Sequence, residues 1–219
     1  MGKKTKFFSR YTYTVLLTGF AFFLAFFAFT LWVRADALRP LDFDSMVKIQ
    51  DRIPLSFDTF FSYLSVIGRF EYTVTALVIF LIFARKLTGI IPFFLFGMAH
   101  VIELIGKTIL NQPGPPNMFL RSHFSEFPGL YVHTNASYPS GHSMRAVFLA
   151  LLFASAIHNS KLPQPIRMCA YAFLAFIVAS MLISRVSLGE HWTTDVIGGA
   201  ILGLSFGLLS IPFLKKKII

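Results

Sequence analysis

The feature that most constrains this chain is an apolar run of 21 residues at 13–33. A helix of about 20 apolar residues is long enough to cross the hydrocarbon of a bilayer, and it satisfies its own backbone amides there. Lys3, Lys4, Lys6 and Arg10 precede the run and Arg34-Ala35-Asp36 follows it. No small-residue cleavage pattern ends it, so it is expected to stay in place as a first span rather than leave as a signal sequence. Further apolar runs at 68–84, 87–106, 141–157, 168–187 and 190–214 read as five more spans. The expected fold is all-α: an integral membrane bundle of six transmembrane helices in a single domain, 1–219.

Composition agrees with that reading. The chain is 55% hydrophobic and 16% aromatic, with 27 Phe and only 14% charged residues, whereas a soluble domain carries about a quarter charged. A net charge of +10 would suit nucleic acid, but the basic residues flank the apolar runs and form no stripe with interleaved aromatics, so no nucleic-acid partner is expected. Cys169 is the single cysteine, which excludes an intrachain disulfide and a multi-cysteine metal site.

The segments between the runs set the topology. Residues 34–55 alternate charge with apolar residues at helical spacing and read as an amphipathic segment on the interface, with 54–67 continuing along the surface. Residues 111–140 form the longest polar loop, rich in Pro and Asn, with a glycosylation sequon at Asn135. The segments 1–12, 84–87, 158–167 and 215–219 hold 11 Lys/Arg in 31 residues, against 5 in 57 for 34–55, 111–140 and 186–190. By the positive-inside rule the first set, including the basic N-terminus and both chain ends, is expected in the cytoplasm of a multi-pass cell-membrane protein. Lys107, His142, Arg185 and His191 then all fall at the outer face. In the last run Gly199, Gly203 and Gly207 recur every fourth residue and should let a neighbouring helix come close.

Two short motifs sit at the ends of these runs. Pro139-Ser140-Gly141-His142 breaks one pattern and opens the next, so the Ser140 and Gly141 amides should face outward at a helix start, where a phosphate is favoured. Downstream, Ser184-Arg185 is followed by His191 and, four residues later, by Asp195, a spacing that puts an imidazole and a carboxylate on one helix face. Upstream, Lys107 follows Glu103 at the same spacing, which favours an ion pair that positions the lysine; His100 reads as a packing residue. Arg185 can grip two phosphate oxygens through its fork and Lys107 can add a point charge. Of the histidines, one can attack phosphorus while the other protonates the leaving group. Asp195 can hold the far N–H of His191, which makes His191 the nucleophile and His142 the acid. A metal set from His142, His191 and Asp195 is possible by residue type, but with Lys and Arg cradling the phosphate neither a metal nor any other cofactor is required.

At these residues the chain resembles the type 2 phosphatidic acid phosphatase superfamily, membrane lipid phosphatases distantly related to vanadium haloperoxidases. The second and third motifs, 139–142 and 184–195, match the family pattern in full. The first departs from it: where the family has lysine, six residues and Arg-Pro, this chain has Lys107, six residues and Gly114-Pro115. Arg121, in the loop, or Arg145, three residues after His142, is the expected substitute, Arg145 riding on the helix itself. The resemblance implies hydrolysis of a phosphomonoester or diphosphate on a lipid in the bilayer, such as phosphatidate, phosphatidylglycerol phosphate or an isoprenyl diphosphate, through a phosphohistidine. The alternatives are a lipid-phosphate-binding protein with weak or no hydrolysis, a phosphotransferase to an acceptor other than water, and a transporter-like bundle in which these charges only satisfy helix ends.

Overall fold

A computed structural model describes residues 10–84, 90–121 and 136–214 of the chain. The expectations for residues 1–9, for Arg85-Lys86 and the start of the third apolar run, for 122–135 with the Asn135 sequon, and for Lys215-Lys216-Lys217 lie outside the described residues. The described elements are helical: α1 (Arg10–Arg34), α2 (Arg39–Arg52), α3 (Asp58–Ile67), α4 (Phe70–Ala84), α5 (Ile90–Leu110), α6 (Gly141–His158), α7 (Gln164–Ser187) and α8 (Thr193–Leu214). Single 3-10 turns at Leu55–Phe57 and Asn117–Phe119 complete them.

Five of these helices, α1, α5, α6, α7 and α8, are long and apolar enough to cross a membrane. Residues Leu55–Ile67 and Phe70–Phe83 are long and apolar enough for a further span only when taken together, and they meet at a bend of 57°; α3, in the segment expected to continue along the surface, packs on α7. Gly68 sits at the break because a Cβ there would lie 2.6 Å from Met181 Cε and 2.8 Å from His142 Cδ2. Breaking the helix strands carbonyls that a continuous one would use, and α6 supplies their donors: His142 Nε2 reaches the Ser65 carbonyl at 3.1 Å and Arg145 Nε the Gly68 carbonyl at 3.0 Å.

α8 is the centre of the bundle, with α1, α5 and α6 packed around it. Phe26, Phe96, Phe148, Leu152, Leu202 and Phe206 form the core between them. The small-residue ridge works as expected: a Cβ at Gly207 would meet Leu151 Cδ1 at 2.7 Å, and at Gly199 and Gly203 it would strike the Ser140 and Met144 carbonyl oxygens. The opposite faces of α1, α5 and α7 present large apolar side chains outward, Leu17, Leu31, Phe94 and Phe173 among them. A layer of lipid tails is the solvent that suits such a surface, and the protein is a multi-pass membrane protein.

α2 forms over most of the expected interfacial segment. Its outward residues include Leu41 and Phe43, while Asp42, Met46 and Gln50, spaced by four, are buried. Asp42 accepts from the Thr194 amide at 2.8 Å and from the Thr194 hydroxyl at 2.7 Å, so it caps the start of α8 from another helix. Burial raises the Asp42 carboxyl above its usual range, against the opposing pull of those two hydrogen bonds. Gln50 Nε2 donates to the Phe119 carbonyl at 2.7 Å and the Ser187 carbonyl at 3.0 Å. Through these bonds α2 ties together the ends of α7 and α8 and the Asn117–Phe119 turn, all at one end of the bundle.

Candidate active site

The motif residues gather at that same end. α7 terminates where Gly189 takes φ +70°, the left-handed conformation that closes many helices and that glycine adopts without strain. The chain doubles back, and the amides of Glu190 and His191 both donate to the Arg185 carbonyl at 3.1 Å. A local turn thus places His191 directly over the last turn of α7. His191 is not on α8, as a shared face with Asp195 would require; the helix begins two residues later, at Thr193. Asp195 instead reaches back to accept from the Trp192 amide at 2.8 Å, as an acidic residue in a first turn does when it closes a capping box.

The imidazole and the carboxylate still meet. His191 Nδ1 lies 3.4 Å from Asp195 Oδ2, and Ser137 stands between them. The Ser137 hydroxyl donates to Asp195 Oδ2 and lies 3.0 Å from His191 Nδ1. The approach strand of the loop holds Ser137 there: its amide donates to the Gln112 carbonyl at 2.8 Å, Ala136 bridges Pro113, and Trp192 Nε1 donates to the Pro113 carbonyl at 3.0 Å. Next in the chain, Tyr138 is fully buried against Phe26 and its hydroxyl lies 2.8 Å from Thr30 Oγ1 on α1. Burial pushes the phenol above its usual range, so it serves as a neutral anchor.

Arg185 is fully buried. Its Nη1 donates to Ser65 Oγ at 2.7 Å and to Glu190 Oε2, and its Nε and Nη2 lie 3.3 and 3.2 Å from Ser184 Oγ. Ser65 therefore serves both motifs, giving its hydroxyl to Arg185 and its carbonyl to His142. On the other side, Lys107 Nζ meets Glu103 Oε1 at 2.9 Å, and Arg145 Nη1 lies 3.7 Å from Glu103 Oε2 and 3.2 Å from His100 Nε2. Gly141 fits against this group because a Cβ there would stand 2.7 Å from Arg145 Nη1 and would overlap the Glu103 carboxylate. An open chain of contacts results, running from Lys107 through Glu103 to Arg145, along α6 to His142, and on through Ser65, Arg185, His191 and Ser137 to Asp195. Among the described residues no three His, Cys, Asp or Glu side chains are gathered closely enough to hold a metal ion.

A model of the PAP2 superfamily matches residues 88–219, the stretch that contains every motif residue from Lys107 to Asp195. The chain belongs to the PAP2 superfamily. Phosphatidylglycerophosphatase B of Bacillus subtilis (strain 168) is 30% identical over 130 residues, 58% of this chain and 59% of that one. Undecaprenyl-diphosphatase of Sulfolobus acidocaldarius is 32% identical over 152 residues, 68% of this chain and 66% of that one. The chain thus spans about three fifths to two thirds of the length of the curated relatives it matches. Among solved structures, the first transmembrane PAP2 type phosphatidylglycerolphosphate phosphatase from Bacillus subtilis superposes with a TM-score of 0.71 over 89% of this chain and 94% of that one, at 22% identity. LpxE of Aquifex aeolicus gives 0.60 over 78% and 95%, at 24% identity. These two likenesses establish a shared PAP2 fold.

Within this PAP2 chain the structure treats the expected site residues unequally. Ser140 does not offer its amide to an anion, because that N–H donates to the Asp195 carbonyl at 3.0 Å; its hydroxyl instead accepts from Ser143 as the N-cap of α6. The first-turn amides of Gly141 and His142 have no intrahelical acceptor and remain the donors suited to a phosphate. Arg121 is committed elsewhere: Nη1 and Nη2 donate to the Ile53 and Gln50 carbonyls at 3.2 and 3.0 Å, which places it on the C-terminus of α2. Arg145 is the arginine that stands beside Gly141. Gly114, where the PAP2 pattern has arginine, lies near Ser137: a Cβ there would be 3.7 Å from Ser137 Cβ and Oγ. Sequence reasoning missed Ser65, Ser137 and Glu190. For Glu190 the signal was an acid next to His191 in a charge-poor motif; Ser65 and Ser137 carry none beyond residue type.

Proposed function

We propose that the chain is a membrane lipid phosphatase that cleaves the phosphomonoester or diphosphate of a lipid through a phosphohistidine on His191, with the site at the outer face and both termini cytoplasmic. The observation that carries this reading is the group of His191, Ser137 and Asp195 set on the last turn of α7 beside the buried Arg185. In that arrangement His191 Nε2 attacks phosphorus as the bond to the leaving oxygen breaks. Arg185, Lys107, Arg145 and the amides at the start of α6 hold the oxyanions that gain charge in the transition state. His142, whose Nε2–H donates to the Ser65 carbonyl, enters the step as imidazolium and gives its Nδ1 proton to the leaving group; the neutral ring so formed then uses the Nδ1 lone pair to take a proton from the water that attacks the phosphorus–nitrogen bond. The positive-inside count, 11 Lys/Arg in 31 residues against 5 in 57, supports the orientation.

Phosphatidate, phosphatidylglycerol phosphate and isoprenyl diphosphates are the candidate substrates, and the names of the two curated relatives favour the latter two. The test is phosphate release, in EDTA, from a short-chain phosphatidylglycerol phosphate and an isoprenyl diphosphate side by side. Release that vanishes in His191→Ala and falls with vanadate is expected; release that persists in that variant refutes the assignment. Glycine at 114 and the Arg185–Glu190 ion pair favour a second reading, a protein that binds lipid phosphates without turning them over. Association with the lipids and no release would select it.

A further inference from the structure

The geometry points to Ser137 as the residue that sets the tautomer of His191. A serine hydroxyl has one hydrogen to give and two lone pairs to receive. At Ser137 the hydrogen goes to Asp195 Oδ2, and Oγ stands 3.0 Å from His191 Nδ1. With the hydrogen already given, the contact with the ring needs a proton on Nδ1, donated to Oγ. A neutral imidazole with its hydrogen on Nδ1 carries its lone pair on Nε2. The serine therefore makes Nε2 the nucleophilic atom, which the direct His191–Asp195 separation of 3.4 Å would enforce only weakly.

The inference rests on the phosphohistidine reading above and adds a positioning residue to it. On attack, the Nε2–phosphorus bond forms while phosphorus releases the leaving oxygen. The Nδ1 hydrogen stays on the ring, and the positive charge acquired there faces Ser137 Oγ and, behind it, the Asp195 carboxylate. The His191 amide donates to the Arg185 carbonyl, and the polar atoms against Nδ1 are Ser137 Oγ at 3.0 Å and Asp195 Oδ2 at 3.4 Å. The site is built for this contact: Ser137 and Asp195 are both buried, Asp195 Oδ1 has no hydrogen-bond partner among the described residues, and Oδ2 takes both the serine and the Trp192 amide.

Two variants test it. Ser137→Ala removes the hydroxyl, and Ser137→Thr keeps it. Purified protein is assayed for kcat and KM. In parallel, nitrogen-15 NMR of histidine-labelled protein reads the tautomer, with His191→Gln used to assign the signal. Ser137→Ala is expected to lower kcat about 10- to 100-fold, as loss of an orienting group behind a reactive histidine does, with KM within about threefold. Ser137→Thr should retain most of the rate, and the His191 signal should be Nδ1–H in the parent and the Thr variant and mixed in the Ala variant. Equal loss in both variants, a rate in Ser137→Ala within twofold of the parent, or an Nε2–H signal in the parent overturns the inference. If the parent releases no phosphate from any lipid, the phosphatase reading fails, and the NMR comparison still decides the role of Ser137.

Discussion

Replacing Gly198 with alanine should damage the site from a distance, and the structure gives the size of the effect. Gly198 faces the ring of Tyr138: a Cβ there would lie 2.5, 2.6 and 2.7 Å from Tyr138 Cε2, Oη and Cζ. Optimal carbon–carbon contact is about 3.5–4.0 Å, so the ring must retreat by about 1 Å. It has little freedom to do so, being fully buried, stacked on Phe26 at 6.2 Å and bonded to Thr30 at 2.8 Å. Overpacking of this kind costs about 1–3 kcal/mol, and a lost Thr30 bond adds about 0.5–1.5 kcal/mol. The better helix propensity of alanine returns about 1 kcal/mol. The net is roughly 0.5–3.5 kcal/mol, or about 1–14 °C in Tm for a chain of this size. Because Ser137 and Pro139 flank Tyr138, the same shift moves the serine off His191, and misplacement by about 1 Å costs on the order of 100-fold in rate. The assay is thermal unfolding in detergent together with phosphate release, with Gly97→Ala as control, since a Cβ at Gly97 meets nothing within 4 Å. A Gly198→Ala protein that melts within about 1 °C of the parent and works within twofold of its rate would refute the reasoning.

Two further outcomes follow from the same site. Arg145→Ala should lower kcat/KM by about one to two decades, the value of a charge-assisted contact to phosphate, and adding Gly114→Arg should recover part of that loss, since position 114 has space for a side chain near Ser137; recovery no better than the single variant would remove Arg145 from the phosphate site. Glu190→Gln leaves the buried Arg185 without its carboxylate, so the ligand-free protein should melt lower while vanadate raises its Tm by more than it raises the parent's; an unchanged vanadate shift would mean that Glu190 does not compete for the guanidinium.

Which parts of this could be read from the order of residues follows from the range of the forces involved. Apolar runs of about 20 residues must be helices in lipid, whatever surrounds them, so α1, α5, α6, α7 and α8 appeared with ends shifted by a few residues. The Glu103–Lys107 pair, four apart on one helix, was legible for the same reason, and so was the glycine ridge of α8. The bend at Gly68 was not, because it depends on Met181 and His142, which lie far along the chain. Nor was the turn at Gly189, which takes His191 off the helix that its spacing to Asp195 suggested.

What the sequence settles alone is therefore the set of segments that must cross a membrane and the few charged residues stranded at their ends. It also names the family pattern those residues fit. Which atoms touch is a tertiary matter. Ser137 meets His191 across 54 residues, the Ser65 carbonyl meets His142 across 77, and Arg121 is drawn to the end of α2 across 71. Two of these three contacts use backbone carbonyls, which every residue carries alike and no sequence pattern can announce. They become specific only when packing brings a stranded acceptor to the one donor within reach.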